Sequence, residues 1–229
     1  MRGNANDTKN AVYMNSSKIR SLKRDTFDDA LSQAIPIQYS SHDSSACLVP
    51  VGKWILEEEG LIRDIANWRQ RYRKFFLDQS ESTPLKTLDY FMSFAIPKDD
   101  RIFFIIYLGD NAIGHIALSN VADKSAELDN LMRGEVGGPA TLMTIVERNF
   151  LSWAFKTLNL EKVSLRILSK NPFALAIHTE LGFREHVRYP MRMIESETSC
   201  VLEICNANER STPVELIEMM LEVKDFKFR

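Results

Sequence analysis

The strongest constraint in this sequence is a cluster of glycines in a chain that otherwise avoids them. The 229 residues include only 9 glycines, whereas average usage of roughly 7% would give about 16. Three of the nine, Gly134, Gly137 and Gly138, fall within five residues. Without a Cβ atom, the backbone can adopt conformations and close approaches that other residues forbid. The chain therefore needs an unusual backbone at this one place.

The glycine cluster lies between a predicted strand and a predicted helix. Ser125–Met132 is strand-like, and from Leu142 onward apolar residues recur at helical spacing. A strand, a glycine-rich turn and a helix N-terminus together form an anion site, because N–H groups and the helix dipole face the ligand. The segment matches neither the glycine fingerprint of dinucleotide-binding proteins nor the P-loop of nucleoside triphosphatases. A tight strand-to-helix turn is the alternative interpretation.

The other periodicities predict a single mixed α/β domain. Ile102–Leu108 is a buried strand, and the turn residues that follow it join it to a second strand in a hairpin. The predicted order is one strand, two helices, three strands, a helix, a strand, a helix, one or two strands and a last helix. That last helix runs from Thr212 to about Val223. Residues 1–45 are polar and are expected to form an irregular or partly ordered extension, so the domain spans residues 46–229.

Composition excludes several classes of function. The chain has 29 Lys and Arg against 31 Asp and Glu, a formal net charge of −2, which gives no field for nonspecific binding of nucleic acid. No apolar run reaches the ~18–20 residues of a membrane span, and the polar N-terminus lacks the core of a signal peptide. We therefore expect no nucleic-acid partner, no membrane and a cytoplasmic location. The three cysteines have no metal-ligand spacing, so we expect structural thiols and no metal site.

The segment after the glycine cluster resembles a known superfamily. The string AFKTLNLEKVSLRILSKNPFALAIHTELGFRE includes Asn171, Ala174, Ile177, Gly182 and Phe183 at the spacing of the second cofactor motif of the GNAT N-acyltransferases. The resemblance covers roughly residues 46–206. It implies an α/β fold with a strongly twisted sheet of six to seven strands, flanking helices and a central parallel pair that splays apart. It also implies a small-molecule amine as partner, and a monomer or homodimer.

The resemblance implies that acetyl-CoA lies in the splay between the parallel strands, with its pyrophosphate on the glycine loop. The implied cofactor-binding residues are Leu131, Met132, Arg133, Gly134, Glu135, Val136, Gly137, Gly138, Ala140 and Asn171. The chain departs from the family pattern at Val136, which stands where the family has its middle glycine. Asn171 precedes a proline, so capping of the next helix is an equal explanation for that residue.

Four residues are candidates for acid–base chemistry. His178 stands where the family often has the tyrosine that protonates the departing thiolate, and a histidine can also donate a proton, since its ordinary pKa of about 6.5 lies below the ~8.5 of a thiol. Glu127 and Asp129 share one face of a strand, and either is a candidate base for the attacking amine. His115 on the neighbouring strand is a further candidate. For each of the four, a structural role is the alternative.

The first long helix carries the candidate acceptor-binding residues. Arg69 and Arg73 are four residues apart, as are Trp68 and Tyr72, so each pair shares a face of the helix. Arginine pairs bind phosphates, and aromatic rings stack on bases or sugars. Together with His115 these residues form the predicted acceptor site. In the alternative interpretation, the aromatic residues face the core and the arginines are solvated.

The sequence thus predicts an N-acetyltransferase that moves an acetyl group from acetyl-CoA to a primary amine, such as a nucleotide-linked amino sugar. The segment around Trp68 is similar both to members acting on such sugars and to members acetylating ribosomal-protein N-termini. A protein N-terminal acetyltransferase is therefore one alternative. A non-catalytic acyl-CoA-binding module, suggested by Val136 and His178, is the other.

Overall fold

A computed structural model describes residues 5–37 and 46–228. The helices are α1 (Ala5–Leu22), α2 (Phe27–Leu31), α3 (Glu59–Tyr72), α4 (Pro84–Tyr90), α5 (Leu142–Thr157) and α6 (Pro172–Glu180). The strands are β1 (Ile35–Ile37), β2 (Ala46–Pro50), β3 (Ile102–Leu108), β4 (Asn111–Ser119), β5 (Ser125–Arg133), β6 (Lys162–Leu168), β7 (Arg184–Glu195), β8 (Cys200–Ile204) and β9 (Glu215–Glu222). No helix within these ranges is long and apolar enough to cross a membrane.

The strands form one mixed sheet in the order β1-β2-β3-β4-β5-β6-β9-β7-β8. The neighbours are antiparallel except β5 and β6, which are parallel. The predicted mixed α/β class, the hairpin of β3 and β4, and the parallel pair are confirmed. The sheet has nine strands rather than the six to seven expected.

The parallel pair splays apart partway along its length. β5 and β6 pair from Ser125 with Lys162 to Leu128 with Leu165. Beyond that point β5 continues to Arg133 beside β4, and β6 continues to Leu168 beside β9. A gap therefore opens between two strands that are each held by an outer neighbour.

Helices cover both faces of the sheet, and β3 supplies core side chains to each face. Phe104 and Ile106 pack in a cluster with α5, where the Phe104 ring meets the Phe150 ring edge-on at 5.3 Å between centroids. Phe103 and Ile105 pack in a second cluster with α3. This follows from the strand period of two residues, which sends alternate side chains to opposite faces. A strand buried on both faces reads as the unbroken apolar run that the sequence shows.

The prediction of a C-terminal helix is wrong. The segment from Thr212 to Val223 contains the strand β9 (Glu215–Glu222) instead, which inserts between β6 and β7. Its sequence, ELIEMMLE, spaces apolar residues in a way that fits a helix as well as a strand. The open edges of β6 and β7 decide between the two, because β9 satisfies the backbone groups of both strands.

The N-terminal extension, expected to be irregular or partly ordered, has regular secondary structure over residues 5–37. This part folds as α1, α2 and β1, and β1 forms the edge of the sheet by pairing with β2. Ile19 of α1 is fully buried in the cluster beneath α5. The Asn15 amide donates to the carbonyls of Ala122 and Asp123 at 3.0 and 3.1 Å. The expectation for residues 1–4 and 38–45 lies outside the described residues.

The docking of α1 generates a stability prediction. Ile19→Ala removes a fully buried side chain and should lower the free energy of unfolding by about 2–4 kcal/mol. Met14→Ala changes the same helix at a side chain that is 56% exposed, so its effect should stay within about 0.5 kcal/mol. Urea denaturation measures both. An Ile19→Ala protein as stable as the Met14→Ala protein would show that α1 does not belong to the folded core.

Candidate functional site

A cavity of about 510 Å³ occupies the gap between the splayed strands. Its walls are the second half of β5, Leu165–Ile167 of β6, and one face of α6. Leu131 and Met132, both predicted to bind the cofactor, line it, as does Tyr72 of α3. We call this cavity the cleft.

A second cavity, of about 530 Å³, lies on the α3 and α4 side of the same strands. We call it the acceptor pocket. It holds Arg69 and His115 of the predicted acceptor site, and its walls include the rings of five phenylalanines and Tyr90. The cleft and the acceptor pocket share Phe75, Phe76, Glu127, Asp129, Asn130 and Arg166. The two cavities therefore meet where β5 separates from β6.

The glycine loop has the unusual backbone that its composition predicts. Gly137 and Gly138 have φ values of +147° and +68°, conformations that L-residues with a side chain rarely adopt. A Cβ on Gly138 would also lie 2.9 Å from a methyl group of Leu142. α5 begins at Leu142, the first residue of the helical spacing in the sequence. Gly137, Gly138 and Ala140 do not line the cleft. They follow the loop residues Gly134–Val136, which do line it.

Gly134 serves a different purpose, which is to admit the ring of Trp68. A Cβ at this position would stand 2.0 Å from that ring. Trp68 is 1% exposed, and its indole N–H donates to Glu135 Oε1 at 2.8 Å. Trp68 therefore takes the core role that was the alternative to acceptor stacking, and it fixes the loop to α3. Arg71 adds a hydrogen bond of 2.9 Å to the Gly134 carbonyl.

Arg133 also holds the loop. Its guanidinium donates to the carbonyls of Glu135 and Gly137 and so bridges the turn from inside. Val136 lines the cleft and is 92% exposed. The loop is thus braced by side chains from two elements, while the residue that departs from the family pattern is exposed.

His178 lines the cleft and is bound to a buried carboxylate. Its Nδ1 lies 2.8 Å from Oε1 of Glu147 on α5. The side chains are 7% and 0% exposed. Sequence reasoning missed Glu147, although a signal existed: this glutamate lies four residues after Met143 and three before Phe150, on the apolar stripe of α5. A charged residue on such a stripe is rarely buried without a partner.

Asn171 does what the capping explanation predicts. Its side-chain oxygen accepts from the Ala174 backbone N–H at 3.3 Å and caps α6. The residue also lines the cleft. Capping therefore places Asn171 at the cleft without excluding contact with a ligand.

Asp129 lies at the junction of the two cavities. Burial raises the pKa of its carboxyl, and the negative charge of Glu127 raises it further. A hydrogen bond from the Asn130 N–H to Oδ1, at 2.8 Å, and the charges of Arg101 and Arg166 oppose this rise in pKa. A carboxyl with a raised pKa holds a proton more readily than an ordinary aspartate, which is what a general base needs.

Glu127 has two strong partners, in contrast to Asp129. Its Oε1 accepts from Arg166 at 2.8 Å, and its Oε2 accepts from the Asn120 amide at 2.9 Å. Both carboxylate oxygens are therefore engaged. This carboxylate fixes Arg166 in the wall shared by the two cavities.

His115 is a neutral, oriented imidazole. Its Nδ1 lies 2.6 Å from the Asn130 carbonyl, and since a carbonyl only accepts, Nδ1 carries the hydrogen. Burial lowers the pKa of the ring to about 4, although the Asn130 contact opposes this fall. Nε2 is therefore unprotonated at neutral pH. Asn130 has a φ of +51° beside an irregularity in the β4–β5 pairing, so His115 supports the distorted backbone.

Of the two arginines predicted to bind the acceptor, one lines the acceptor pocket and the other does not. Arg69 lines the acceptor pocket with its guanidinium over the Phe76 ring at 4.4 Å, whereas Arg73 is exposed and lines neither cavity. The structure adds Arg101, a residue not identified from the sequence. It lines the acceptor pocket with its guanidinium 3.9 Å from the centre of the Phe94 ring.

Comparisons with known proteins agree on the fold. The chain superposes on a spermidine N-acetyltransferase from Vibrio cholerae in complex with CoA and spermine, with a TM-score of 0.54 and 17% identity over 80% of this chain and 98% of that one. The microcin C7 self-immunity acetyltransferase MccE, in complex with acetyl-CoA and AMP, gives a TM-score of 0.58 at 10% identity, over 79% and 94% of the two chains. The ribosomal L7/L12 alpha-N-protein acetyltransferase RimL, in complex with CoA, gives 0.59 at 7%, over 84% and 99%.

Identities this low establish a shared fold and nothing finer. No curated protein matches the chain. The family itself is identified from the sequence, because the model of the acetyltransferase (GNAT) domain matches residues 56–184, more than half of the chain. This protein therefore belongs to the GNAT acetyltransferase family.

Proposed function

We propose that this protein transfers the acetyl group of acetyl-CoA to a primary amine. The observation that carries the proposal is the meeting of two cavities at Asp129, where β5 leaves β6. One cavity would hold the acyl donor and the other the amine. Reaction would then take place at their junction, beside a buried carboxyl with a raised pKa.

The cleft suits the long, amide-bearing arm of coenzyme A. β5 beyond Leu128 and β6 beyond Leu165 no longer pair with each other, so an inserted chain with amide groups can bind to their facing edges. Apolar side chains of Met143 and Ile177 line the same cleft. The braced glycine loop and the start of α5 offer backbone N–H groups and a favourable dipole to the pyrophosphate. Acetyl-CoA would supply the thioester whose carbonyl carbon the amine attacks.

Asp129 is the residue we assign as general base. An amine attacks only after losing its proton, and the raised pKa of this buried carboxyl favours accepting one. The engagement of Glu127 with Arg166 and Asn120 supports a positioning role for that carboxylate instead. The bare Nε2 of His115, in the wall of the acceptor pocket, makes His115 the second candidate base.

His178 is the residue we assign as general acid. It lines the cleft on α6, opposite the edge of β5 along which the thioester would lie. From there, its ring would protonate the sulfur that leaves with coenzyme A.

For the acceptor, we favour an amine that also carries an acidic group and a flat ring, such as a nucleotide-linked amino sugar. The acceptor pocket presents the guanidinium groups of Arg69 and Arg101, each stacked on a phenylalanine. Guanidinium groups bind phosphates and carboxylates, and aromatic walls stack on bases and sugars. A protein N-terminus and a polyamine are the competing acceptors.

A CoA-release assay tests this proposal. Purified protein is mixed with acetyl-CoA and, in separate reactions, with nucleotide-linked amino sugars, peptides with free N-termini, and polyamines. We expect CoA release with the amino sugars. Release with peptides alone would identify a protein N-terminal acetyltransferase. Acetyl-CoA binding by calorimetry without release for any amine would identify a non-catalytic acyl-CoA-binding module.

The glycine loop generates a prediction for acetyl-CoA affinity. Gly138→Ala places a side chain at a φ of +68° and against Leu142, a conformation that costs about 1–2 kcal/mol. We expect the Kd for acetyl-CoA, measured by calorimetry, to rise about tenfold. Gly109→Ala is the matched control, since Gly109 has a φ of +58° with nothing within 4 Å of an added Cβ. Equal affinities for the two variants would argue against pyrophosphate binding at the loop.

Asp129 generates a prediction with opposite effects on activity and stability. Asp129→Asn retains an oxygen for the Asn130 N–H but cannot accept the amine proton, so kcat should fall by about 10²–10⁴. The raised pKa means that the folded state binds the proton more tightly than the unfolded state. Its stabilising contribution is therefore present below the ordinary carboxyl pKa and lost as pH rises through the raised value. At neutral pH the substitution removes a half-buried charge, so Tm should rise.

The control for Asp129→Asn is Asp89→Asn, the same change at an exposed position of α4 outside both cavities. It should leave kcat and Tm unchanged. In the kcat/KM profile, the fall in activity at acid pH should disappear in Asp129→Asn and persist in the control. A profile that keeps its acid limb in Asp129→Asn would transfer the role of base to His115.

A further inference from the structure

We propose that Glu147 is a positioning residue that acts through His178, so that a buried carboxylate–imidazole pair delivers the proton to the leaving thiolate. The inference rests on the proposed function and deepens it. Glu147 touches neither cavity, since it is fully buried on α5 and absent from the walls of the cleft. Glu147 can affect the reaction through His178, whose Nδ1 lies 2.8 Å from Oε1 of Glu147.

The geometry fixes which ring nitrogen faces the cleft. An ionised carboxylate only accepts hydrogen bonds, so Nδ1 donates to Glu147 and Nε2 is the nitrogen left for a ligand. The ring is held from another side by Phe183, whose ring packs edge-on at 5.6 Å between centroids. His178 is therefore locked in one orientation by contacts made behind it.

The charge of Glu147 does more than orient the ring. Glu147 Oε2 has no hydrogen-bond partner among the described residues, so the carboxylate has the imidazole as its polar partner. A buried negative charge without a cation nearby is strongly disfavoured. The form of the ring that balances this charge is the imidazolium, which carries a proton on Nε2 toward the cleft. That is the form a general acid requires.

The proton balance is complete with these residues. As the amine nitrogen bonds to the acetyl carbon, the C–S bond breaks and its electron pair stays on sulfur. The Nε2 proton of His178 moves to that sulfur. The amine reaches the thioester in its neutral form, after passing its ammonium proton through Asp129 to solvent, and it then gives its second proton to Asp129. Transfer of a proton from Asp129 to solvent, and of one from solvent to His178, restores both groups. Free thiol and amide are the products.

Other charged groups around His178 are already paired or lie across the cleft. Arg148 of α5 and Glu180 of α6, beside the pair, bind each other at 3.9 Å. The charged residues lining the cleft from α3, from β5 and the loop after it, and from β6 are Arg71, Glu127, Asp129, Arg133, Glu135 and Arg166. Glu147 is the carboxylate in direct contact with the ring, so its removal should change the titration of His178 most.

The experiment compares Glu147→Gln with Glu180→Gln. The first keeps an oxygen that accepts from Nδ1 but removes the charge; the second removes a charge from a side chain that is 63% exposed on α6. We expect Glu147→Gln to lower kcat by about 10–100-fold with little change in KM for acetyl-CoA. The alkaline limb of its pH–kcat profile should move to lower pH, because the imidazolium loses its counter-charge. Glu180→Gln should leave both unchanged.

Two further measurements separate this role from simple structural support. In a His178→Gln background, Glu147→Gln should cost no additional activity, because it acts through the missing ring. NMR titration of the histidine rings, with His178 identified by its loss in His178→Gln, should show the ring of Glu147→Gln titrating at lower pH. An unmoved titration, or additive losses in the double variant, would overturn the proposal. The titration needs no turnover, so it remains decisive if no amine proves to be a substrate.

Discussion

The separation of β5 from β6 is the constraint on which the rest of the site depends. Two parallel strands that share hydrogen bonds only as far as Leu128 and Leu165 leave backbone edges facing each other across a gap. Such edges are tolerable only because β4 and β9 hold each strand from outside. Every candidate functional group is then defined by its position relative to the gap. His178 flanks it, Asp129 stands where it begins, and the glycine loop closes its far end.

Much of the fold could be predicted from local sequence signals. β3 is an unbroken apolar run buried on both faces, and Thr83 and Asn171 cap their helices before a proline as their residue types indicate. Local signals failed where distant partners decide the outcome. β9 has a pattern compatible with a helix, but it lies between two strands whose hydrogen-bonding edges it satisfies. α1 looks polar, yet one buried isoleucine and one asparagine attach it to the core.

In the candidate site, too, some features could be predicted from local sequence signals and others could not. The positions of His178, Asp129 and the glycine loop followed from motif spacing, because a helix or strand carries its residues to a fixed place. Their partners did not follow. Trp68 suggested a stacking surface for an acceptor, whereas its ring packs against Gly134 and its N–H binds Glu135. Glu147 was hidden within an apolar helix face. In both cases the decisive contact joins residues more than 30 positions apart, which no local pattern encodes.

The place of β9 in the sheet has a consequence for how the protein is made. During synthesis β5 and β6 emerge before β9, and domains fold as the chain lengthens. Until Glu215–Glu222 arrives, β6 has an open edge on the side that β9 later covers. The strand that holds β6 from outside thus leaves the ribosome after both strands of the gap. A chain that stops before this segment would present unpaired strand edges, a feature that favours association between chains over a finished binding site.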